Sequence, residues 1–180
     1  RPHTLFPYTT LFRSKGKFIT LTGMLMNSQP QHLEKANQYL KEETGLLHLE
    51  LDPEDFYDTA IWDQFMKIYN EASGEGEQGY ITIGKRIYPT IKMTSGFPEH
   101  LKTPLDFVKY EAEGFLANHS EDVTPRKFLK AEEGDVEVYA PAPGYNSKLY
   151  EGVFLGILEL CGIEKGKVEN TAADTFRITW

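Results

Sequence analysis

The sequence predicts an α+β domain: an N-terminal helical layer packed on a small antiparallel sheet formed mainly by the C-terminal half. Three observations predict it. Apolar residues recur at spacings of three and four through much of residues 31–118, which is the helical period. Beyond about residue 126 the period falls to two. The C-terminal segments then run strand, strand, helix, strand.

Phe18–Thr22 alternates apolar and polar residues and is short, which suits a first strand or the start of a helix. Residues 31–44 (QHLEKANQYLKEET) read as a helix with Leu33, Ala36 and Leu40 on one face, stopped by Gly45. The next helix is expected to start at Asp52, a cap, with Pro53 in its first position and Glu54 and Asp55 complementing the dipole. Its apolar stripe is Tyr57, Ala60, Ile61, Phe65, Ile68, Tyr69 and Ala72. Residues 73–77 form a turn. Residues 79–91 (GYITIGKRIYPTI) mix helical spacing with Gly84 and Pro89, which weaken a long helix.

Residues 93–100 are a loop. Thr103, Pro104 and Asp106 then form a capping-box variant that starts a helix to about Asn118, burying Leu105, Val108, Ala112, Phe115 and Leu116. Residues 126–131 and 135–140, joined at Glu133-Gly134, read as a β-hairpin. Residues 146–161 form a buried helix ending at Gly162, and residues 167–180 supply one last strand through Phe176, Ile178 and Trp180.

The chain has 19 basic and 27 acidic residues, a net charge of −8. An acidic surface without a basic run argues against a nucleic-acid partner and against anionic membranes. No apolar stretch approaches the roughly 18 residues of a membrane helix. Cys161 is the single cysteine, so an internal disulfide and a cysteine-rich zinc site are excluded. A cytoplasmic domain is expected.

Residues 4–14 (TLFPYTTLFRS) resemble the conceptual translation of a sequencing adapter, and segments of that kind are set aside before fold reasoning. Arg1–Ser14 is therefore expected to be disordered, with His3, Phe6 and Phe12 outside core and site. Residues 15–180 are expected to form a single ligand-binding-type domain. Arg1 and Arg13 lie in the segment, so without it the net charge moves from −8 to about −10.

Candidate chemistry is sparse. His48, Glu50 and Asp52 alternate and would share one face of a strand. His119, at a predicted helix end, suits an imidazolium stabilised by the dipole. Gly152 and Gly156, four apart on a buried helix, suit close packing of that helix on the sheet. Residues 74–79 lack the lysine of a phosphate loop. Cys161 has no histidine placed to activate it, and Ser147 lacks an elbow. No acid–base or nucleophile set emerges, so the reading leans away from an enzyme. Tyr110, Phe115, Tyr139, Tyr145 and Tyr150 fall where the helix 103–118, the hairpin and the helix 146–161 should meet. Aromatic walls with a few hydroxyls suit a pocket for an apolar small molecule, and equally an ordinary core.

Residues 124–128 (TPRKF), the run DVEVYAPAPGYNSKLYEGVFLGILELCGI and the closing TFRITW, preceded by GYITIGKRIYP, resemble a known superfamily over about residues 52–180. It includes heme-nitric oxide/oxygen-binding domains, four-vinyl-reductase-type small-molecule-binding domains and TRAPP vesicle-tethering subunits. The resemblance implies a helical N-terminal part, a hairpin, a G-x-x-x-G helix, a final aromatic strand and a tendency to pair as a homodimer. Heme-binding members carry a proximal histidine, expected here at about residues 110–113, and a Tyr-x-Ser-x-Arg grip on the propionates. Tyr139 matches the tyrosine, but Pro141 and Pro143 stand for serine and arginine, so the bidentate contact is lost. Heme held in that manner is disfavoured. Cys161 alone does not reproduce the cysteine cluster of four-vinyl-reductase-type domains, so no metal is assigned. The leading expectation is a non-catalytic small-molecule-binding or sensory module, its apolar or aromatic ligand lying between the helix 103–118 and the sheet against Tyr110, Phe115, His119, Tyr139 and Tyr145. The alternatives are a heme-based gas or redox sensor using His119, and an assembly subunit without a ligand.

Overall fold

The structure, a computed structural model, describes residues 11–180. Strand β1 (Arg13–Lys15) leads into helix α1 (Gly16–Leu25). Helix α2 (Pro30–Thr44), strand β2 (Phe56–Asp58), helix α3 (Thr59–Ser73), helix α4 (Glu77–Thr94) and helix α5 (Pro104–Asn118) follow. The C-terminal half is β3 (Lys127–Glu132), β4 (Asp135–Tyr139), α6 (Lys148–Leu160), β5 (Lys167–Ala172) and β6 (Thr175–Thr179). The predicted α+β layering holds. The sheet is antiparallel in the order β3-β4-β6-β5, one strand wider than the sequence suggested. Residues 167–180 form a hairpin, not one strand, because Asp174 turns the chain at φ 56°. Val136, Val138, Phe176 and Ile178 are the buried face of the sheet, and α6 lies across it with Phe154 edge-on to Phe176 at 5.4 Å.

Of the two readings of Phe18–Thr22 the helical one holds, since the segment lies within α1. Two further expectations are corrected. The third helix is capped by Asp58, whose carboxylate accepts from the Ala60 N–H at 2.8 Å; Asp52 instead accepts from the Glu54 N–H in a turn. The face that α3 buries is carried by Trp62, Phe65, Met66 and Tyr69, turned relative to the stripe drawn from Asp52. In α5 the capping box forms as predicted, but Leu116 faces solvent while Phe107 and Glu111 are buried.

The segment set aside as disordered reaches too far. Arg13 and Ser14 pair antiparallel with Asp58 and Tyr57, Ser14 is fully buried, and Phe12 packs on the core. The Ser120 N–H donates to the Arg13 carbonyl at 2.8 Å, so β1 also holds the end of α5. Residues 1–10, with His3 and Phe6, lie outside the described residues. Among the described residues no helix is long and apolar enough to cross a membrane.

Gly152 and Gly156 do not serve helix-on-sheet packing. A Cβ at Gly152 would strike the Ile81 carbonyl of α4, and one at Gly156 the Lys85 carbonyl. In return, a Cβ at Gly84 would strike the Leu149 carbonyl and the Val153 nitrogen of α6. The two helices cross backbone against backbone. Pro89, the residue expected to break α4, contributes to this. It has no N–H to give the carbonyl four residues earlier, and that carbonyl, of Lys85, is the one lying against Gly156.

Candidate functional site

A cavity of about 350 Å³ lies among α1, α3, α4, α5 and α6. Its size falls in the lower range of small-molecule sites. The sequence builds it simply. Thr103 fixes the start of α5, so Tyr110, Glu111, Gly114, Phe115 and Asn118 share the helix face that borders it. Phe18 comes from α1, Trp62 from α3, Tyr88 from α4 and Tyr150 from α6. Helices thus form most of the cavity wall, with Ser95 and Phe97 from the segment between α4 and α5, and the sheet is not part of it, which corrects the expected placement.

His119 ends α5 with extended backbone and is 7 % exposed. Its Nδ1 lies 2.9 Å from the Phe115 carbonyl and its Nε2 3.1 Å from the Tyr145 hydroxyl. A carbonyl only accepts, so Nδ1 carries the proton and Nε2 accepts from Tyr145. The Tyr145 oxygen in turn accepts from the Tyr150 hydroxyl. The chain of donors therefore runs one way, from Tyr150 through Tyr145 and His119 to the backbone of α5. Burial pushes the His119 pKa down to about 4; the Arg126 charge adds to this and the Phe115 carbonyl opposes it. The imidazolium expected at a helix end is thus replaced by a neutral ring, because desolvation outweighs the dipole.

A pH dependence follows. A base whose pKa is lowered by folding binds its proton less tightly in the native state. The stabilisation is complete above about pH 6.5 and is lost as pH falls towards 4, a loss of about 3 kcal/mol over that span. Thermal melts at pH 7 and pH 4.5 check this. The wild type should lose stability, and His119→Gln should lose much less; an equal loss in both would assign the effect to other groups.

Behind the cavity wall lies Arg126, its side chain fully buried. Its Nη2 and Nε donate to the Glu111 carboxylate at 2.8 and 3.3 Å, and Nη1 donates to the Pro141 carbonyl at 3.1 Å. The guanidinium lies between the Phe115 and Tyr150 rings, 3.7 and 4.1 Å from their centres. Glu111 is on the cavity wall, while Arg126 is not.

Of the residues predicted for the site, Tyr110, Phe115 and His119 reach the cavity wall. Tyr145 stands behind His119 and touches Trp62, with ring centres 4.7 Å apart. Tyr139 belongs to β4, opposite Lys127 and Thr175, and the structure does not bring it to the cavity. Sequence reasoning missed Phe18, Trp62, Tyr88, Glu111 and Arg126. Glu111 had a signal: a carboxylate among Val108, Ala112 and Phe115 on the apolar side of its helix. Arg126 had none, since nothing local marks it as buried.

His48, Glu50 and Asp52 do not converge. The His48 ring is bonded to Asn37 Oδ1 at 2.9 Å, and Glu50 accepts from the Leu47 N–H. A second hollow, of about 400 Å³, is lined by Lys92, Glu99, Lys102 and Cys161; burial pushes the Cys161 thiol up, away from thiolate chemistry.

No protein-family model matches the chain, and no curated protein matches it. Solved structures do. An unliganded Fe(II) H-NOX protein from K. algicida is 13 % identical with a TM-score of 0.64, covering 92 % of this chain and 95 % of that one. A structure from work on heme distortion in the H-NOX family is 13 % identical with a TM-score of 0.67, covering 93 % and 94 %. An oxygen-binding H-NOX domain related to soluble guanylate cyclases, in its oxygen complex, is 12 % identical with a TM-score of 0.63, covering 91 % of each chain. These bear on the heme-nitric oxide/oxygen-binding branch of the resemblance and not on its four-vinyl-reductase or tethering branches. Over nine-tenths of its length, this chain has the fold of H-NOX domains.

Proposed function

We propose that the chain is a sensory ligand-binding module whose ligand occupies the cavity beside α5. The observation that carries this is the cavity itself, an aromatic chamber with a buried neutral histidine on its wall, in a fold shared with gas-binding domains. Heme is the ligand that the likeness to H-NOX structures favours, and with it the module is a gas or redox sensor. Bound there, heme would supply reversible binding of a diatomic gas or a one-electron couple. The donor set fits an imidazole ligand in one respect. His119 is neutral, and its Nδ1–H is anchored on the Phe115 carbonyl, the arrangement that leaves Nε2 as a metal ligand. To hold heme, His119 Nε2 would have to give up its hydrogen bond from the Tyr145 hydroxyl. Lys17, at the cavity wall and half exposed, offers a cation for a propionate. The homodimer and the cytoplasmic setting belong to this reading through the resemblance and the acidic surface.

Titration with hemin tests it. A Soret shift is expected that His119→Ala abolishes and Tyr145→Phe keeps. No shift, or one that persists in His119→Ala, removes heme ligation by this residue.

A metal-free reading rests on a different observation. Nε2 already has a partner, Pro141 and Pro143 stand where a heme grip needs serine and arginine, and Arg126 is committed to Glu111. On this reading the ligand is an apolar or aromatic small molecule.

A further inference from the structure

Glu111 is the one carboxylate on the cavity wall among the described residues, and it is 6 % exposed. A carboxylate offers about four lone-pair positions. Arg126 takes two of them from behind the wall, and among the described residues no other group donates to Glu111. Stability alone does not account for the pair, because an apolar pair of similar volume is commonly as stable as a buried ion pair. The Glu111 side chain borders a chamber whose other walls are chiefly aromatic and aliphatic, among them Phe18, Trp62, Tyr88 and Phe97.

From this we infer that Glu111 is the recognition group of the cavity and that it accepts a hydrogen bond from an N–H or O–H of a flat aromatic ligand. The ligand is uncharged. At the Glu111 end of the chamber Glu111 and Arg126 already balance, and a charge placed there would be buried without a partner. The inference rests on the metal-free form of the reading above and adds the chemical class of the ligand.

Calorimetric titration of the full chain with indole and with 1-methylindole tests it, since the two differ by the donor hydrogen. Indole should bind about tenfold tighter, the effect of leaving one buried acceptor unpaired. In Glu111→Gln the amide oxygen stays with Arg126 and the NH2 faces the chamber, so the preference should fall to about one. Gly114→Leu gives an arm that does not depend on the ion pair. Gly114 borders the cavity, a Cβ there meets nothing within 4 Å, and the larger side chain should abolish binding of both probes. Equal binding of the two probes to the wild type overturns the role of Glu111 and leaves the cavity reading standing. A preference for indole that survives in folded Glu111→Gln overturns that role too. If neither probe binds the wild type, or if Gly114→Leu binds both unchanged, this chamber is not a site for such ligands, and the inference falls with it. Should Glu111→Gln fail to fold, the wild-type ratio and Gly114→Leu decide.

Discussion

Gly152→Val is expected to lower stability by about 3 kcal/mol or more, the upper range for overfilling a packed core. For a domain of this size that is a fall in Tm of roughly 6–12 °C. The reason is the partner of the new side chain. At Gly152 a Cβ meets the Ile81 carbonyl and the Lys85 nitrogen, and backbone inside a helix has no rotamer to change. Gly84→Val should behave alike, because it attacks the same crossing from α4. Gly114→Ala is the control. It is also a helical glycine, but its new methyl meets nothing, so it should gain about 0.5–1 kcal/mol. Thermal denaturation of the three variants reads the contrast. A mild effect at Gly152 would mean that α4 and α6 can separate at little cost.

Arg126→Met is expected to be as damaging, for an electrostatic reason. It strands the Glu111 carboxylate without its two donors, and an uncompensated buried charge costs about 3–5 kcal/mol. The double variant Arg126→Met/Glu111→Leu should recover most of that loss, since both charges leave together. Denaturant unfolding of the two single variants and the double closes the cycle. If the double variant is no better than Arg126→Met, the loss belongs to packing of the arginine between Phe115 and Tyr150 and not to the pair.

The elements most legible in the sequence are those whose signals are local. The Thr103–Asp106 box and the Gly45 stop are read from a few adjacent residues, and both form as read. Errors arise where a distant partner decides. Asp52 and Pro53 make a good helix start on paper, yet the Gly16 N–H donates to the Asp55 carbonyl and β1 pairs with Phe56–Asp58, which keeps that stretch extended until Asp58. Gly84 and Pro89 count against a helix in isolation and become assets only because α6 presents its own glycines. The site divides in the same way. Tyr110, Phe115 and His119 follow from the face of a well-marked helix. Tyr139 follows from the expected meeting of hairpin and helices and from a family pattern, and the alternation of β4 sends it elsewhere. Glu111 and Arg126 define each other, and neither is informative alone.

The glycine crossing also limits how this molecule can move. Four helices provide most of the cavity wall, and two of them, α4 and α6, are interlocked through their main chains. Packed interfaces of this kind shift as units and do not deform gradually. A guest that enlarges the chamber therefore meets α4 and α6 as one unit. On α1 and α5 the tie is the N-terminal strand, because β1 runs straight into α1 and its Arg13 carbonyl receives the N–H of Ser120 just beyond α5. A short strand at the edge of the fold thus couples the ends of two walls that are far apart in sequence.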